Sequence, residues 1–204
     1  MITCSKGIKD TRRRILETAY EEFYRHGFQS GSLNRIVADA GVTKGALFHH
    51  YDGKQALGYA VVEEIVGSLI RDVWIEPLSQ SADPIRDIQK IVRGVIRRGA
   101  GSGLTQGCPL NNLAQEMSPL DEGFRRRLES IYIAWRESVE VAIARGIEAG
   151  SVRKDIRPRR VAGFIVASMT GIIGTAKNAK SRELMAEAGD VLIQFLDTLA
   201  PDKK

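Results

Sequence analysis

The run SLNRIVADAGVTKGALFHHYDGK, residues 32–54, gathers the groups in this chain best suited to meeting an anionic surface. Thr43 brings a hydroxyl, Lys44 an ammonium and His49 an imidazole, with Phe48 beside them and the small residues Gly45 and Ala46 between. On one short helix they form an exposed face carrying groups for phosphates and bases, the chemistry of reading a DNA groove. That chemistry needs a tight turn, an apolar underside and an exposed N-terminal face on the second helix of a helix-turn-helix. Ile36 and Val37 anchor the supporting helix, Gly41 supplies a left-handed turn, and Val42 and Leu47 point inward. Lys44 to His50 spans about 10 Å at roughly 1.5 Å per residue, enough to read a few base pairs.

Apolar positions recur at three and four almost everywhere and no strand pattern appears, so the chain reads as all-α. From Asp10 as N-cap, Ile15, Ala19 and Phe23 line one face with Leu16 and Tyr20 beside them, and Gly27 stops the helix. Ser32 caps a second helix that ends at Ala40-Gly41, and Thr43 caps a third at about 44–50. After the Asp52-Gly53 turn, a fourth runs from about Lys54 to Trp74, with Leu57, Val61, Ile65, Leu69 and Val73 expected on its buried side. A Pro77–Pro84 connection leads to a fifth, marked by Ile85, Ile88, Ile91, Val92 and Val95, which dissolves into GAGSGLTQG at 99–107. Pro109 to Met117 is a short helix, and Pro119 opens a long one reaching Ala149. Pro158 fits the first turn of a helix to about Asn178, and a last one occupies roughly 182–199. The expectation is nine helices: a three-helix head over residues 1–54 and a larger helical body over 55–204.

Composition sets the frame for these elements. Hydrophobic residues are 43% and charged residues 27%, ordinary values for a globular chain. No apolar run approaches the roughly 20 residues that cross a bilayer, and MITCSKGIKDTRRR has no apolar export region, so a cytoplasmic location with no membrane partner is expected. Cys4 and Cys108 make no disulfide framework; both are expected as reduced thiols, Cys4 in a disordered arm. Residues 1–54 hold nine lysines and arginines against six acids, together with all three histidines, which suits an anionic partner.

The stretch AGVTKGALFHHYDGKQAL closely resembles the signature of the TetR family of transcriptional regulators. That signature is A-G-V, Ser/Thr, Lys/Arg, Gly, a small residue, Leu, an aromatic, any residue, His, an aromatic, then Lys before an apolar helix. The resemblance covers about 45 contiguous residues; Phe48 stands where Tyr is usual, and Tyr51 where Phe is usual. It implies a repressor released from a palindromic operator in double-stranded DNA by an effector. Carried over by position, Thr43 bonds a phosphate and Lys44 a phosphate or guanine edge, while Gly45 and Ala46 allow close approach. Phe48 presses on a thymine methyl or sugar, and His49 and His50 lie near backbone or base edges. Lys54 holds a phosphate at a helix start, and Ser32 and Arg35 are further phosphate candidates.

One head reads too few base pairs for useful specificity, so the body should form a homodimer that presents two heads. Gly163, Ala167, Gly171 and Thr175 fall four apart, a small-residue strip that lets another helix come close. With Leu184, Val191 and Phe195 of the last helix it suits half of an intermolecular four-helix bundle; packing within the chain is the alternative. The family's effector pocket is expected among helices five to seven, where Tyr132, Trp135 and Val139 follow one helical stripe that equally suits plain core. Cys108 begins a helix, whose positive end lowers a thiol pKa. The stretch GCPLNNLAQE resembles a G-C-x-x-x-N-L-x-x-E segment in a TetR subgroup that includes repressors of electrophile-detoxifying reductases. Cys108 is therefore read as a sensor of oxidants or electrophiles, with Lys177 as partner for an oxidised sulfur; the other reading is a small buried side chain.

An enzyme is the rival class. Its readings fail on the residues: no Ser/His/Asp or Cys/His set, no phosphate loop, no metal-ligand spacing and no cofactor motif is present, and Glu116 with Asp121 or Glu122 makes only a weak carboxylate pair. A helical protein-interaction adaptor without DNA binding is the second alternative, and an activator in place of a repressor the third.

Overall fold

A computed structural model describes residues 3–99 and 106–201, with side chains from Asp10 onward. Among the described residues there are nine helices and no strand, the all-α architecture the sequence predicts. They are α1 (Thr3–His26), α2 (Leu33–Asp39), α3 (Lys44–His50), α4 (residues 53–79), α5 (Pro84–Gly99), α6 (Pro109–Met117), α7 (Glu122–Glu148), α8 (Pro158–Ala179) and α9 (Arg182–Asp197). Most of the expected Gly-rich break after α5 falls outside the described residues. No helix among the described residues is long and apolar enough to cross a membrane.

Several boundaries differ from the sequence expectation for physical reasons. α1 starts at Thr3, so Cys4 is in a helix and not an irregular arm; Asp10 lies inside it, 3.8 Å from Arg14, and caps nothing. α7 starts at Glu122 and not at Pro119, because Asp121 accepts the Phe124 N–H at 2.8 Å and is the true cap. Pro77 belongs to the last turn of α4, at the start of a fresh helical segment where no N–H is required of it.

α4 departs furthest from a plain helix. Ordinary turns at Gly53–Ala60, Gly67–Ile70 and Glu76–Ser79 alternate with π turns at Val61–Val66 and Arg71–Ile75. In the first wide turn the Gly67 N–H bonds the Val62 carbonyl, and in the second the Glu76 N–H bonds the Arg71 carbonyl, five residues back in each case. The large buried side chains are Leu57 and Val61, then Val62, Val66, Ile70, Trp74 and Leu78. The expected stripe through Ile65, Leu69 and Val73 is thus displaced by one position, and Leu69 is exposed. The wide turns add the residue that displaces it and absorb the drift of a four-residue spacing in a 3.6-residue helix.

The chain forms two compact units. One comprises the described residues up to Ser68 together with Asn112–Glu129, so it is larger than a head ending at residue 54. Its core holds Ile15, Ala19, Phe23, Ile36, Leu47 and Leu57. Phe28 joins Phe23 and Phe124 at ring separations of 5.0 and 4.6 Å, and Gly58 is required beside them because a Cβ there would run into both Phe28 and Phe124. The second unit comprises Leu69–Asn111 and the chain from Ser130. There Trp74 meets Trp135 at 5.0 Å, and α9 lies so close on α5 that Gly189 leaves no room for a Cβ beside Ile96. Gln89 crosses between them, donating to Asp197 at 2.7 Å and to the Ile193 carbonyl at 3.3 Å.

Candidate nucleic-acid interface and sensor region

α2 and α3 are set by local chemistry that the sequence announces. Ser32 is extended and its hydroxyl accepts the Arg35 N–H at 3.4 Å; Thr43 is extended and its hydroxyl accepts the Ala46 N–H at 3.1 Å. Between the helices Gly41 takes φ +61°, the left-handed geometry the turn needs. Ile36 and Leu47 are fully buried beneath, so the opposite side of α3 faces out.

That outer side carries the expected residues. Thr43, Lys44, Gly45, Phe48 and His49 are exposed, and Ala46 and His50 half-buried. Phe48 leaves 47% of its surface exposed, which the fold itself does not call for. Among the described residues a Cβ at Gly45 would meet only the Thr43 hydroxyl, at 3.9 Å, so none of them requires glycine there. Burial, followed by the charges of His49 and Arg12, holds the His50 imidazole below its ordinary value. At neutral pH it is uncharged and offers one donor and one acceptor.

The outlying candidates are engaged inside the unit. Arg35 reaches the buried Glu22 through Nε at 2.8 Å and the Ser30 carbonyl through a terminal nitrogen at 3.1 Å. Ser32 donates its N–H to the same Glu22 at 2.8 Å. Lys54 donates to the Gln29 carbonyl at 2.9 Å and lies over the Phe28 ring at 4.9 Å; burial lowers its pKa. Arg12, Arg13 and Arg14 of α1 are also paired: Arg12 with Glu64 at 2.8 Å, Arg13 with Glu17 at 2.8 Å and Arg14 with Asp10.

Sequence reasoning missed the part played by two carboxylates. Glu22 sits among the buried positions of α1, and a charge at a core spacing was the available signal. Glu116 of α6 accepts the Phe28 and Gln29 amides at 2.9 and 2.8 Å, a pairing across more than 80 residues that no local pattern announces. Asp121, the other imagined acid, takes the Tyr59 hydroxyl at 2.8 Å and the Gln55 amide at 2.5 Å.

In the second unit the sensor candidates separate. Val139 is fully buried and Trp135 nearly so, both as core; Tyr132 is half-buried and donates its hydroxyl to Asn111 at 3.3 Å. The Trp135 indole stacks along Tyr132 at 6.4 Å, and its N–H is buried without a hydrogen-bond partner among the described residues. A cleft of about 290 Å³ is lined by Asp72, Val73, Lys90, Ile91, Gly94 and Arg98, none of them a predicted pocket residue. Cys108 is half-buried at the head of α6, and the Leu110 and Asn111 amides bond its sulfur. Burial nonetheless outweighs those amides and pushes the thiol up, opposite to the expected lowering. Asn111 also faces Gly174 of α8, where a Cβ would lie 3.9 Å from its amide nitrogen. The half-buried Lys177 follows on that helix.

The small-residue strip faces out of the chain. Ala167, Gly171 and Thr175 are exposed, and a Cβ at Gly163 or Gly171 would meet nothing within 4 Å among the described residues. Beside it lie Val191 at 63% exposure and the half-exposed Phe164, which packs on Phe195 at 4.7 Å; Leu184 is also exposed.

Residues 15–61 match the family described as bacterial regulatory proteins, tetR family, and residues 84–192 match a tetracyclin repressor-like C-terminal domain. The HTH-type transcriptional repressor DhaR of Mycobacterium sp. (strain GP1) is 30% identical over 185 residues, 91% of each chain. The transcriptional regulator AcuR of Cereibacter sphaeroides is 24% identical over 80% of this chain and 74% of its own. Among solved structures, a TetR regulator from Chloroflexus aurantiacus aligns with TM-score 0.85 at 23% identity, covering 96% of this chain and 98% of that one. Reduced E. coli NemR aligns with TM-score 0.83 at 22% identity, covering 95% and 98%.

Proposed function

Since the chain belongs to the TetR family of transcriptional regulators, and is a DNA-binding repressor-type regulator and not an enzyme, we propose that α3 is its recognition helix and that two copies bind a palindromic operator. The observation that carries this is the outer face of α3: Thr43, Lys44, Gly45, Phe48 and His49 are exposed together, on a helix fixed from beneath by Leu47 and capped by Thr43. Lys44 meets phosphate or a guanine edge, Gly45 and Ala46 let the helix sit deep in the groove, and Phe48 takes an apolar base contact. DNA reading belongs to residues 1–54, and effector binding and dimerisation to 55–204, in the cytoplasm. The dimer forms through the outward strip of α8 with Leu184 and Val191 of α9.

The experiment is selection of bound sites from fragmented genomic DNA, followed by titration of the selected operator. Lys44→Ala should weaken binding several-fold and reduce the salt slope by about 0.9 for the one phosphate lost, with the dimer intact. Unchanged binding would remove α3 from the interface.

The body responds to a small-molecule effector or to modification of Cys108, and either releases the operator. The unpartnered Trp135 N–H supports an effector that carries a hydrogen-bond acceptor, while the rings beside it, Tyr132 and Trp74, are uncharged and suit a flat apolar body. Repeating the site selection with and without a thiol-reactive electrophile separates the two routes.

A further inference from the structure

Glu116 stands one residue before the end of α6, and the function described above gives it no task. Its carboxylate accepts the backbone N–H groups of Phe28 and Gln29, at 2.9 and 2.8 Å, where the chain leaves α1 for α2. Gly27, at φ +80°, makes room for it: a Cβ there would lie 3.1 Å from both carboxylate oxygens. The same dipeptide is held from its other side, because Lys54 donates to the Gln29 carbonyl at 2.9 Å and lies over the Phe28 ring. The Glu116 charge in turn favours the ammonium form of Lys54 against the burial that disfavours it.

We propose that Glu116 is a positioning residue for DNA binding, one jaw of a clasp whose other jaw is Lys54, and that through it α6 sets the pose of the α1–α2 turn carrying the recognition helix. The inference rests on the DNA-binding reading of α3. Lys54 is then committed to the turn and is not a free phosphate contact. The stretch G-C-x-x-x-N-L-x-x-E also gains a physical meaning: its cysteine is Cys108, beside the first turn of α6, and it ends at Glu116, the residue that grips the head. A nine-residue helix is about 13 Å of stiff rod, so displacement of its Cys108 end withdraws the carboxylate from the Phe28 and Gln29 amides.

The sign of one substitution separates positioning from charge. Glu116→Gln and Glu116→Ala both remove a negative charge from the DNA-binding unit, and by electrostatics alone they would tighten operator binding. The clasp requires the reverse: in the full-length protein Glu116→Ala weakens operator binding about tenfold with an unchanged salt slope. Amide exchange at Phe28 and Gln29 should accelerate at least tenfold while the amides of α3 keep their protection. Glu116→Gln, which retains one acceptor oxygen, should recover part of both. Lys54→Ala should give a similar loss, and the double variant should lose less than the product of the two single losses. Tighter or unchanged operator binding by Glu116→Ala, or a loss of protection spread evenly over the unit, would overturn the proposal. Failure of the wild-type protein to bind any selected site would instead refute the reading of α3, and the exchange measurement, which uses no DNA, keeps the two failures apart.

Discussion

The buried carboxylate of Glu22 and the guanidinium of Arg35 meet at 2.6 Å, which joins the last turns of α1 to the start of α2. Burial alone would raise the pKa of Glu22, but the hydrogen bonds from Arg35 and the Ser32 amide outweigh it and hold the carboxyl below its ordinary value. Arg35 is thus a strut of the head. Arg35→Ala should lower the melting temperature and leave the salt slope of operator binding unchanged. Glu22→Ala should cost about 1–3 kcal/mol at neutral pH, since it leaves the half-buried Ser32 N–H without its acceptor and Arg35 without its carboxylate.

The same pair sets a pH dependence. A carboxylate with a lowered folded pKa stabilises the fold above its unfolded value of about 4.3, and that stability is lost as the pH falls through this value toward the folded one. Acid titration of Glu22→Gln, followed by helical circular dichroism, should therefore show a flatter stability profile below about pH 4.3 than the wild type. A profile as steep as the wild type's would assign the acid sensitivity to other carboxylates.

Gly171 tests the α8 face. Because a Cβ there meets nothing within 4 Å among the described residues, Gly171→Leu should leave the fold and melting behaviour of a protomer intact. It should block close approach of a second helix, so sedimentation should shift from dimer to monomer and operator affinity should collapse. Val191→Asp, at a position 63% exposed, should act the same way. A persistent dimer in both variants would place the interface elsewhere.

Trp135→Phe keeps a ring against Trp74 and Tyr132 and removes the unpartnered N–H. Stability should be held or should rise by up to about 1–3 kcal/mol, the cost of a buried unpaired donor. Effector-triggered operator release should weaken. A clear loss of stability with the response intact would show that the N–H has a partner within the fold.

For Cys108 the expectation is slow chemistry. With the thiol pushed up by burial, less thiolate is available at neutral pH than for an exposed cysteine, and alkylation should accelerate as pH rises beyond the ordinary value of about 8.5. Folding favours the neutral thiol, so its share of stability is present below that value and is lost as pH rises toward the folded one. Mass spectrometry of alkylation against pH checks both statements, and Cys108→Ser should abolish any electrophile response that acts through this sulfur.

What the chain spells out locally, the structure repeats. Ser32 and Thr43 define the starts of α2 and α3 by capping amides three residues on, Gly41 sets the turn by its positive φ, and Pro158 marks the start of α8 because the first turn needs no N–H from it. The exposed side of α3 follows from where Ile36 and Leu47 must go. Long-range pairings left no such trace. Lys54 looked free because its acceptor, the Gln29 carbonyl, belongs to another element, and Glu116 looked idle because its donors lie in a turn far back along the chain. At Cys108 the favourable amides were legible in the helix start, but the opposing burial comes from packing, which periodicity does not report.

The wide turns of α4 give its length a meaning of its own. In an unbroken helix, deletion of a single residue swings everything beyond it by about 100°. Here one residue is already surplus to the α-helical count between Val61 and Val66, so removing it there would close the wide turn into an ordinary one without breaking the rod. The half of α4 beyond it would keep Val66, Ile70 and Trp74 inward, because each would move into the place that an unbroken helix gives to Ile65, Leu69 and Val73. Phase along this helix is therefore buffered at its wide turns: a deletion between 61 and 66 is absorbed there, whereas one in an ordinary turn would rotate the face beyond it.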